Sequence, residues 1–468
     1  MKKFYLAVDI GASNGRHILG HLDSGRLMLR EVHRFETKLH TCDGVLCWDS
    51  AALFQDIVAG MKKCGPDEQP ASVGIDTWAV DFALLDENGA LLGETAAYRD
   101  HRTDGMDAAV ERCIPISELY HKTGIQKQPF NTIYQLAALQ QTKPELLERA
   151  ARFLMLPEYF SFLLSGQMKN EYTNATSTNL VNAADQDWDN GILSAMGLRR
   201  ELFGALHMPG TKVGRLTAAL QNEIGYDCDV VFPATHDTAS AVLAVPAPDH
   251  DFIYLSSGTW SLLGVELAQP NCSEQAQRAN FTNEGGFAGR YRFLKNIMGL
   301  WIIQSIKREL KTYNYEQLCE MALEEADFAG RIDVNDAMFL APENMTEAVT
   351  DYCEQNGQPV PKTTGQLMRC VYNSLADSYA VAIAEIEQVT ERTYKRLHIV
   401  GGGSRDRLLN QLTADATGKE IWVGPAEGTA IGNIVAQMLG DGLIASVEEA
   451  RNIIRDSFTI NIINNREV

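Results

Sequence analysis

An apolar strand that runs into a glycine-bearing turn and returns as a second strand occurs near the start of each half of the chain, and this repeat restricts the available folds. The first copy is Tyr5–Ile10, the turn Gly11–Gly15 and the strand His17–Leu22. The second is Phe252–Leu255, the turn Ser256–Thr259 and the strand Trp260–Leu267. The repetition is of architecture and not of residue identity, which predicts two lobes on one plan and excludes a solenoid. A chain of 468 residues also exceeds what one hydrophobic core serves. Between the copies, Val245-Pro246-Ala247-Pro248-Asp249 interrupts the pattern with two prolines, so domains are predicted at 1–245 and 246–468.

The remaining pattern is α/β. The first copy continues through Asp23-Ser24-Gly25 into a third strand, Leu27–Phe35, and Ser72–Asp76 adds another. Phe82–Leu85, Asp86-Glu87-Asn88-Gly89 and Leu91-Leu92 predict a hairpin with an Asn-Gly turn. Residues 105–225 are mostly helical by period, including Thr132–Gln141 and Pro144–Phe153. Val230–Ala234 reads as a buried strand, with a helix beginning by Ala239. The second half predicts a helix over Gln366–Val389, a strand over Arg396–Val400, a helix from Asp406, a strand over Ile421–Val423 and a helix over Ala430–Leu439.

Hydrophobic residues at 45% and charged residues at 22% fit a folded, well-solvated chain. The net charge of −20 argues against a nucleic-acid partner, which requires an excess of Lys and Arg. ATP remains compatible, because backbone N–H groups, a metal and one or two local cations suffice to hold it. The nine cysteines form no CxxC pair and Asp9 interrupts the only leader-like run. No stretch has the length and apolarity to span a bilayer, so the expectation is a cytoplasmic protein with free thiols and no membrane partner.

Three turns following apolar strands have the glycine and hydroxyl content that lets phosphate approach backbone N–H groups: Gly11–Gly15, Ser256–Thr259 and Gly401-Gly402-Gly403-Ser404. Each is also explicable as an ordinary tight turn. No GxxxxGK[ST] segment exists, which excludes a P-loop ATPase, and GxGxxG spacing is missing, which argues against a dinucleotide oxidoreductase. Asp9, ending a strand beside the first turn, is a candidate Mg²⁺ ligand, or else simply caps that turn. Asp237 is the candidate general base, flanked by His236 and Thr238 to orient a polyol, with helix capping as its competing role. Asp76, Trp78 and Asp81 combine an indole face with carboxylates in the manner of sugar sites, though a core tryptophan explains them too. Arg99-Asp-His-Arg102 reads as a solvated loop, and Trp48, Trp188, Trp301 and Trp422 as packing residues.

Taken in order, Asp9-Ile-Gly-Ala-Ser13, Gly74-Ile-Asp-Thr-Trp-Ala-Val-Asp81, Glu171-Tyr-Thr-Asn-Ala-Thr176, Thr235-His-Asp-Thr-Ala-Ser-Ala241, Tyr254-Leu-Ser-Ser-Gly-Thr-Trp-Ser261, Asn283-Glu-Gly-Gly286, Leu294-Lys-Asn-Ile-Met-Gly-Leu-Trp301 and His398-Ile-Val-Gly-Gly-Gly403 resemble the FGGY carbohydrate kinases from about residue 4 to residue 440. The resemblance implies two ribonuclease H-like domains of the actin/hexokinase ATPase type flanking a deep interlobe cleft. It implies ATP and Mg²⁺, and a nucleotide turn at Ser13, Asn14, Gly15, Arg16 and His17 with further contacts at Thr259, Gln304 and Gly402. Sugar contacts fall on Ala83, His236, Asp237, Thr238 and Asn296, with Trp78 and Asp81 added from their composition, and the proton acceptor on Asp237. Asn14, Ala79 and Ser404 stand where serine, glycine and cysteine are common, and the tail beyond Val423 diverges. The middle motifs are most like the branch acting on L-rhamnulose in L-rhamnose catabolism, with a monomer or small homo-oligomer expected. L-fuculose or xylulose as substrate, or an actin/Hsp70-like ATPase driven by partner binding, are the alternatives.

Overall fold

Phe4–Ile10 is buried at every position, which a strand achieves only when both faces of its sheet are covered. The computed structural model describes residues 2–340 and 342–464. In it this strand is central to a six-stranded sheet ordered Lys212–Arg215, Asp229–Val231, Pro70–Thr77, Phe4–Ile10, Asn14–Asp23, Arg26–Glu36. Phe4–Ile10 and Pro70–Thr77 run parallel, as do Pro70–Thr77 and Asp229–Val231, whereas Phe4–Ile10, Asn14–Asp23 and Arg26–Glu36 form the antiparallel meander. A second sheet is ordered Thr282–Gly285, Tyr291–Met298, Trp260–Leu267, Phe252–Ser257, Arg396–Val400, Glu420–Val423, Asn461–Ile463. The fold is mixed α/β with two domains.

By internal contact one unit is Met1–Pro246 with Glu266–Phe293 and Gly428–Ser457; the other is Ala247–Val265 with Leu294–Glu427 and Phe458–Val468. The sequence places one boundary at 245/246; the chain crosses at 246/247 and again at 265/266, 293/294, 427/428 and 457/458. The return of Gly428–Gly440 to the first unit has a clear cause. Its two buried amides bond to the parallel strands: Asn433 Nδ2 donates to Gly74 O at 3.1 Å and Gln437 Nε2 to Leu6 O at 3.0 Å. Its small residues let it lie against helix Asp237–Leu243, so that a Cβ on Gly432 would fall 1.7 Å from the carbonyl oxygen of Ser240.

That contact carries a prediction. Gly432→Ala gains about 1 kcal/mol of helix propensity, yet overpacking against backbone costs about 3 kcal/mol. A net loss is therefore expected, read as a lower midpoint in urea, and an unchanged midpoint would contradict the packing described.

One local expectation is corrected and another is extended. Pro144–Phe153 is not one helix: the helix ends at Arg149, Ala150 is extended, and Arg152–Met155 is a strand. The predicted hairpin forms, with the Leu92 N–H donating to Leu84 O at 2.8 Å and the Asp86 N–H to Ala90 O at 2.9 Å about a bridge between Leu85 and Leu91, and Phe82–Leu85 also pairs along its length with strand Arg152–Met155. The turn itself forms, with the Asp86 carboxylate accepting from the N–H groups of Asn88 and Ala90. Sequence-local turn chemistry was legible there, whereas the second strand partner lay some seventy residues away. The strand Arg396–Val400 forms with the predicted bounds, and the predicted helices near 366 and 430 extend over Thr364–Thr390 and Gly428–Gly440.

Candidate active site

Within the first unit three carboxylates converge because three parallel segments end together. Asp9 pairs in register with Asp76, and Thr77 bridges to His236 while donating its N–H to Thr235 O at 3.0 Å. This pairing delivers the 235–237 segment to the same sheet edge, where helix Asp237–Leu243 starts. The cap position belongs to His236, whose side chain makes no capping hydrogen bond, and Asp237 is the first helical residue, its Oδ1 accepting from the Thr238 N–H at 2.6 Å. A carboxylate in the first turn is favoured by the helix dipole.

The cluster is electrostatically loaded. Asp76 is fully buried, its Oδ2 accepts from Asn433 Nδ2 at 2.5 Å, and its Oδ1 has no partner among the described residues. Burial, then the charges of Asp9 and Asp237, hold its carboxyl well above the usual range. Burial likewise pushes Asp237 up to about 6, with Asp9 adding to the rise while His236, the Thr238 N–H and Arg292 oppose it. Asp9 is bonded by Arg16, whose Nε and Nη2 donate to its Oδ2 at 3.0 and 2.8 Å.

Around Asp237 lies a buried polar shell. His236 Nε2 is 3.5 Å from Asp237 Oδ1 and 3.0 Å from Thr238 Oγ1. Arg292, fully buried, donates from Nη1 to Thr238 Oγ1 at 2.8 Å and from Nε to Gly285 O at 2.9 Å. Glu284 sits 3.0 Å from Arg292 Nη2. Burial alone would raise its carboxyl, but the charge of Arg292 first, and then His236 beside it, bring it down to about 2. Neither Arg292 nor Glu284 was singled out from the sequence, although Glu284 lies within a quoted motif.

The other sequence-designated residues of this unit divide clearly. Ser13 and Asn14 are exposed at the first turn, and Gly15 is required because a Cβ there would meet the Phe35 ring at 2.2 Å. The His17 side chain is fully buried, with Nε2 against Ile57 O at 3.0 Å, so only its backbone faces the turn-bearing strand pair. Asp81 is filled by internal donors: Trp48 Nε1 at 2.6 Å, Trp78 Nε1 at 2.9 Å, the Tyr98 N–H at 3.1 Å and Gln135 Nε2 at 3.2 Å. A carboxylate so occupied positions the two indoles, whose rings lie 4.1 Å apart, and has little capacity left for sugar hydroxyls. Ala83 is buried on its strand. Val80 has φ 67°, costly for a β-branched residue, and is held there by Thr132 Oγ1 and Gln135 Nε2 donating to its carbonyl. Arg102, expected in a solvated loop, instead donates to Ala97 O at 2.9 Å and Gln135 Oε1 at 2.6 Å.

In the second unit, Thr259 Oγ1 donates to Gln304 Oε1 at 3.3 Å, bringing two designated nucleotide residues together. The N–H groups of Leu300 and Trp301 donate to the Gly258 and Thr259 carbonyls, which anchors the turn to the start of helix Trp301–Glu309. Gly401 adopts φ 87°, and Gly403 packs so closely on Ser257 that a Cβ would fall 1.9 Å from its Oγ. Gly402 is exposed, with open space where a Cβ would stand. Asn296 is half-buried on strand Tyr291–Met298.

Two family models match consecutive parts of the sequence: the N-terminal domain of the FGGY family of carbohydrate kinases over residues 4–244, and its C-terminal domain over 253–440. The chain belongs to the FGGY family of carbohydrate kinases. It is a sugar phosphotransferase that uses ATP, and the alternative of a partner-driven ATPase is set aside. A protein named rhamnulokinase from Halalkalibacterium halodurans is 49% identical over 460 residues, covering 98% of each chain. One of the same name from Bacillus subtilis is 42% identical over 471 residues, covering 99% of this chain and 96% of that one. Among solved structures, xylulose kinase from Lactobacillus acidophilus superposes with a TM-score of 0.80 at 16% identity, covering 99% and 94% of the two chains. Plasmodium falciparum glycerol kinase with ADP does so with a TM-score of 0.78 at 14% identity, covering 98% and 94%. At such identities the structural matches establish the FGGY kinase fold alone.

Proposed function

We propose that this kinase transfers the γ-phosphoryl group of ATP to the 1-hydroxyl of L-rhamnulose, giving L-rhamnulose 1-phosphate and ADP. The observation that carries the chemistry is the Asp237 carboxylate, half-buried at a helix start between His236 and Thr238. The near-full-length similarity to proteins named rhamnulokinase supports the choice of sugar.

In the proposed mechanism Asp237 accepts the proton of the ketose hydroxyl as that oxygen bonds to the γ-phosphorus and the bond to the ADP oxygen breaks. His236, Thr238, Ala83 and Asn296 orient the sugar, Trp78 and Asp81 shape the wall behind it, and Ser13–His17, Thr259, Gln304 and Gly402 contact the nucleotide. Little nucleophile bonding exists in such transition states, so alignment contributes more than basicity. Among the described residues no three His, Cys, Asp or Glu side chains are grouped to hold a metal unaided. The unpartnered Oδ1 of Asp76 beside Asp9 fits a Mg²⁺ ion that arrives on nucleotide phosphates and needs only one or two protein carboxylates. Asp9 is the proposed ligand, directly or through water, and the ion when bound neutralises phosphate charge.

Coupled ADP release over L-rhamnulose, L-fuculose, L-xylulose and D-xylulose tests the assignment. A site built to hydrogen-bond one hydroxyl pattern discriminates by at least about tenfold, so kcat/KM for L-rhamnulose is expected to lead by that margin. Equal or better use of another ketose would overturn the choice of sugar.

A further inference from the structure

The guanidinium of Arg292 reaches both side chains that flank Asp237. Its Nη2 donates to His236 Nδ1 at 3.1 Å, its Nη1 to Thr238 Oγ1 at 2.8 Å and its Nε to Gly285 O at 2.9 Å. Glu284 Oε2 lies 3.0 Å from Nη2 and 3.3 Å from His236 Nδ1, yet has no aligned donor among the described residues. The Nη2–H is thus aimed at the ring nitrogen, and Glu284 balances the charge of the buried guanidinium without taking a ring proton. A nitrogen that accepts from arginine carries no hydrogen of its own.

This fixes the rest of the chain of hydrogen bonds. With Nδ1 an acceptor, the neutral imidazole carries its hydrogen on Nε2, which is 3.0 Å from Thr238 Oγ1. Thr238 Oγ1 then accepts from both Nε2–H and Nη1–H, which fills its two lone pairs and leaves its own hydrogen free to donate.

We propose that Arg292 is a positioning residue: by donating to His236 Nδ1 and Thr238 Oγ1 it locks the Nε2–H tautomer and makes the Thr238 hydroxyl a donor to a sugar oxygen. The sugar part of this rests on the proposed ketose kinase activity; the tautomer does not. An arginine is needed because lysine presents a single point and cannot reach both atoms with fixed geometry.

The test combines a spectrum with kinetics. In the full-length protein with ¹⁵N-labelled histidine, the His236 signals, assigned by their loss in His236→Gln, are expected to show Nδ1 pyridine-like and Nε2 pyrrole-like. In Arg292→Lys both tautomers should appear and the KM for ketose should rise about tenfold, the scale of one hydrogen bond, with kcat within about twofold. Should Arg292→Lys not fold, Thr238→Val is expected to raise KM similarly and Thr238→Ser to restore it. A protonated Nδ1 in the unsubstituted protein, or wild-type KM in Thr238→Val, would overturn the proposal. Absence of turnover with every ketose alongside a pyridine-like Nδ1 would contradict the substrate assignment and still support the tautomer lock.

Discussion

Asp237→Asn is expected to lower turnover at least about a hundredfold, the scale of a general base, while the protein becomes no less stable. The second half of that expectation distinguishes a catalytic carboxylate from a structural one. Asp237 shares its surroundings with Asp9 and Asp76; burial raises the carboxyls of Asp76 and Asp237, and the neighbouring carboxylate charges add to the rise. Asparagine keeps the shape and removes one charge from the cluster, so thermal unfolding should occur at the same temperature or higher. Sugar affinity should change much less than turnover. The pH dependence follows from the same position. The base must be ionised, and its carboxyl is pushed up to about 6 chiefly by burial. Activity is therefore present above that value and lost as pH falls through it, which sets the acid limb of kcat/KM near 6 for the free enzyme. An acid limb near 4, the value of an unperturbed carboxyl, would contradict the described environment.

Glu171→Ala should produce the opposite combination, a large loss of stability with catalysis lost only as a consequence. Glu171 is fully buried and accepts from Thr173 N at 2.8 Å, Thr173 Oγ1 at 2.7 Å, Asn174 N at 3.1 Å, Thr235 Oγ1 at 2.5 Å and Thr235 N at 3.3 Å. It ties the start of helix Tyr172–Ala175 to the residue two positions before Asp237. Alanine leaves these buried donors without an acceptor at about 1–3 kcal/mol for each one that water cannot reach. Even two such groups give about 4 kcal/mol, a large share of the 5–15 kcal/mol that typically holds a domain together. Chemical denaturation should register this loss, and Glu171→Gln, which keeps one carbonyl oxygen, should lose less. A stability within about 0.5 kcal/mol of the unsubstituted protein, the range of ordinary surface changes, would refute the role of Glu171 as a strut.

What the sequence disclosed and what it hid follow a physical line. The strands Phe252–Ser257 and Arg396–Val400 and the long helix Thr364–Thr390 were legible because their apolar period is local. The meeting of Asp9 with Asp76 was not, since it depends on parallel pairing between strands some sixty residues apart. Asn433 belongs to a helix near the C-terminus, and nothing around it signals that its amide bonds Asp76. Arg292 likewise reads as one charged residue in a strand until the fold brings it to His236 and Thr238. Asp81 shows the converse. Its proximity to Trp78 suggested sugar recognition, but Trp48, thirty-three residues earlier, supplies a second indole N–H that helps fill the carboxylate. Arg102 differs from a solvated cation because Gln135 and two backbone carbonyls line the space it enters.

The most direct test of the account is a crystal structure of this protein with L-rhamnulose bound. The 1-hydroxyl oxygen should lie within about 3.2 Å of the Asp237 carboxylate, the reach required of a general base, with a neighbouring sugar oxygen accepting from Thr238. A ketose seated in this site with that hydroxyl turned away and another at Asp237, or bound elsewhere altogether, would contradict it.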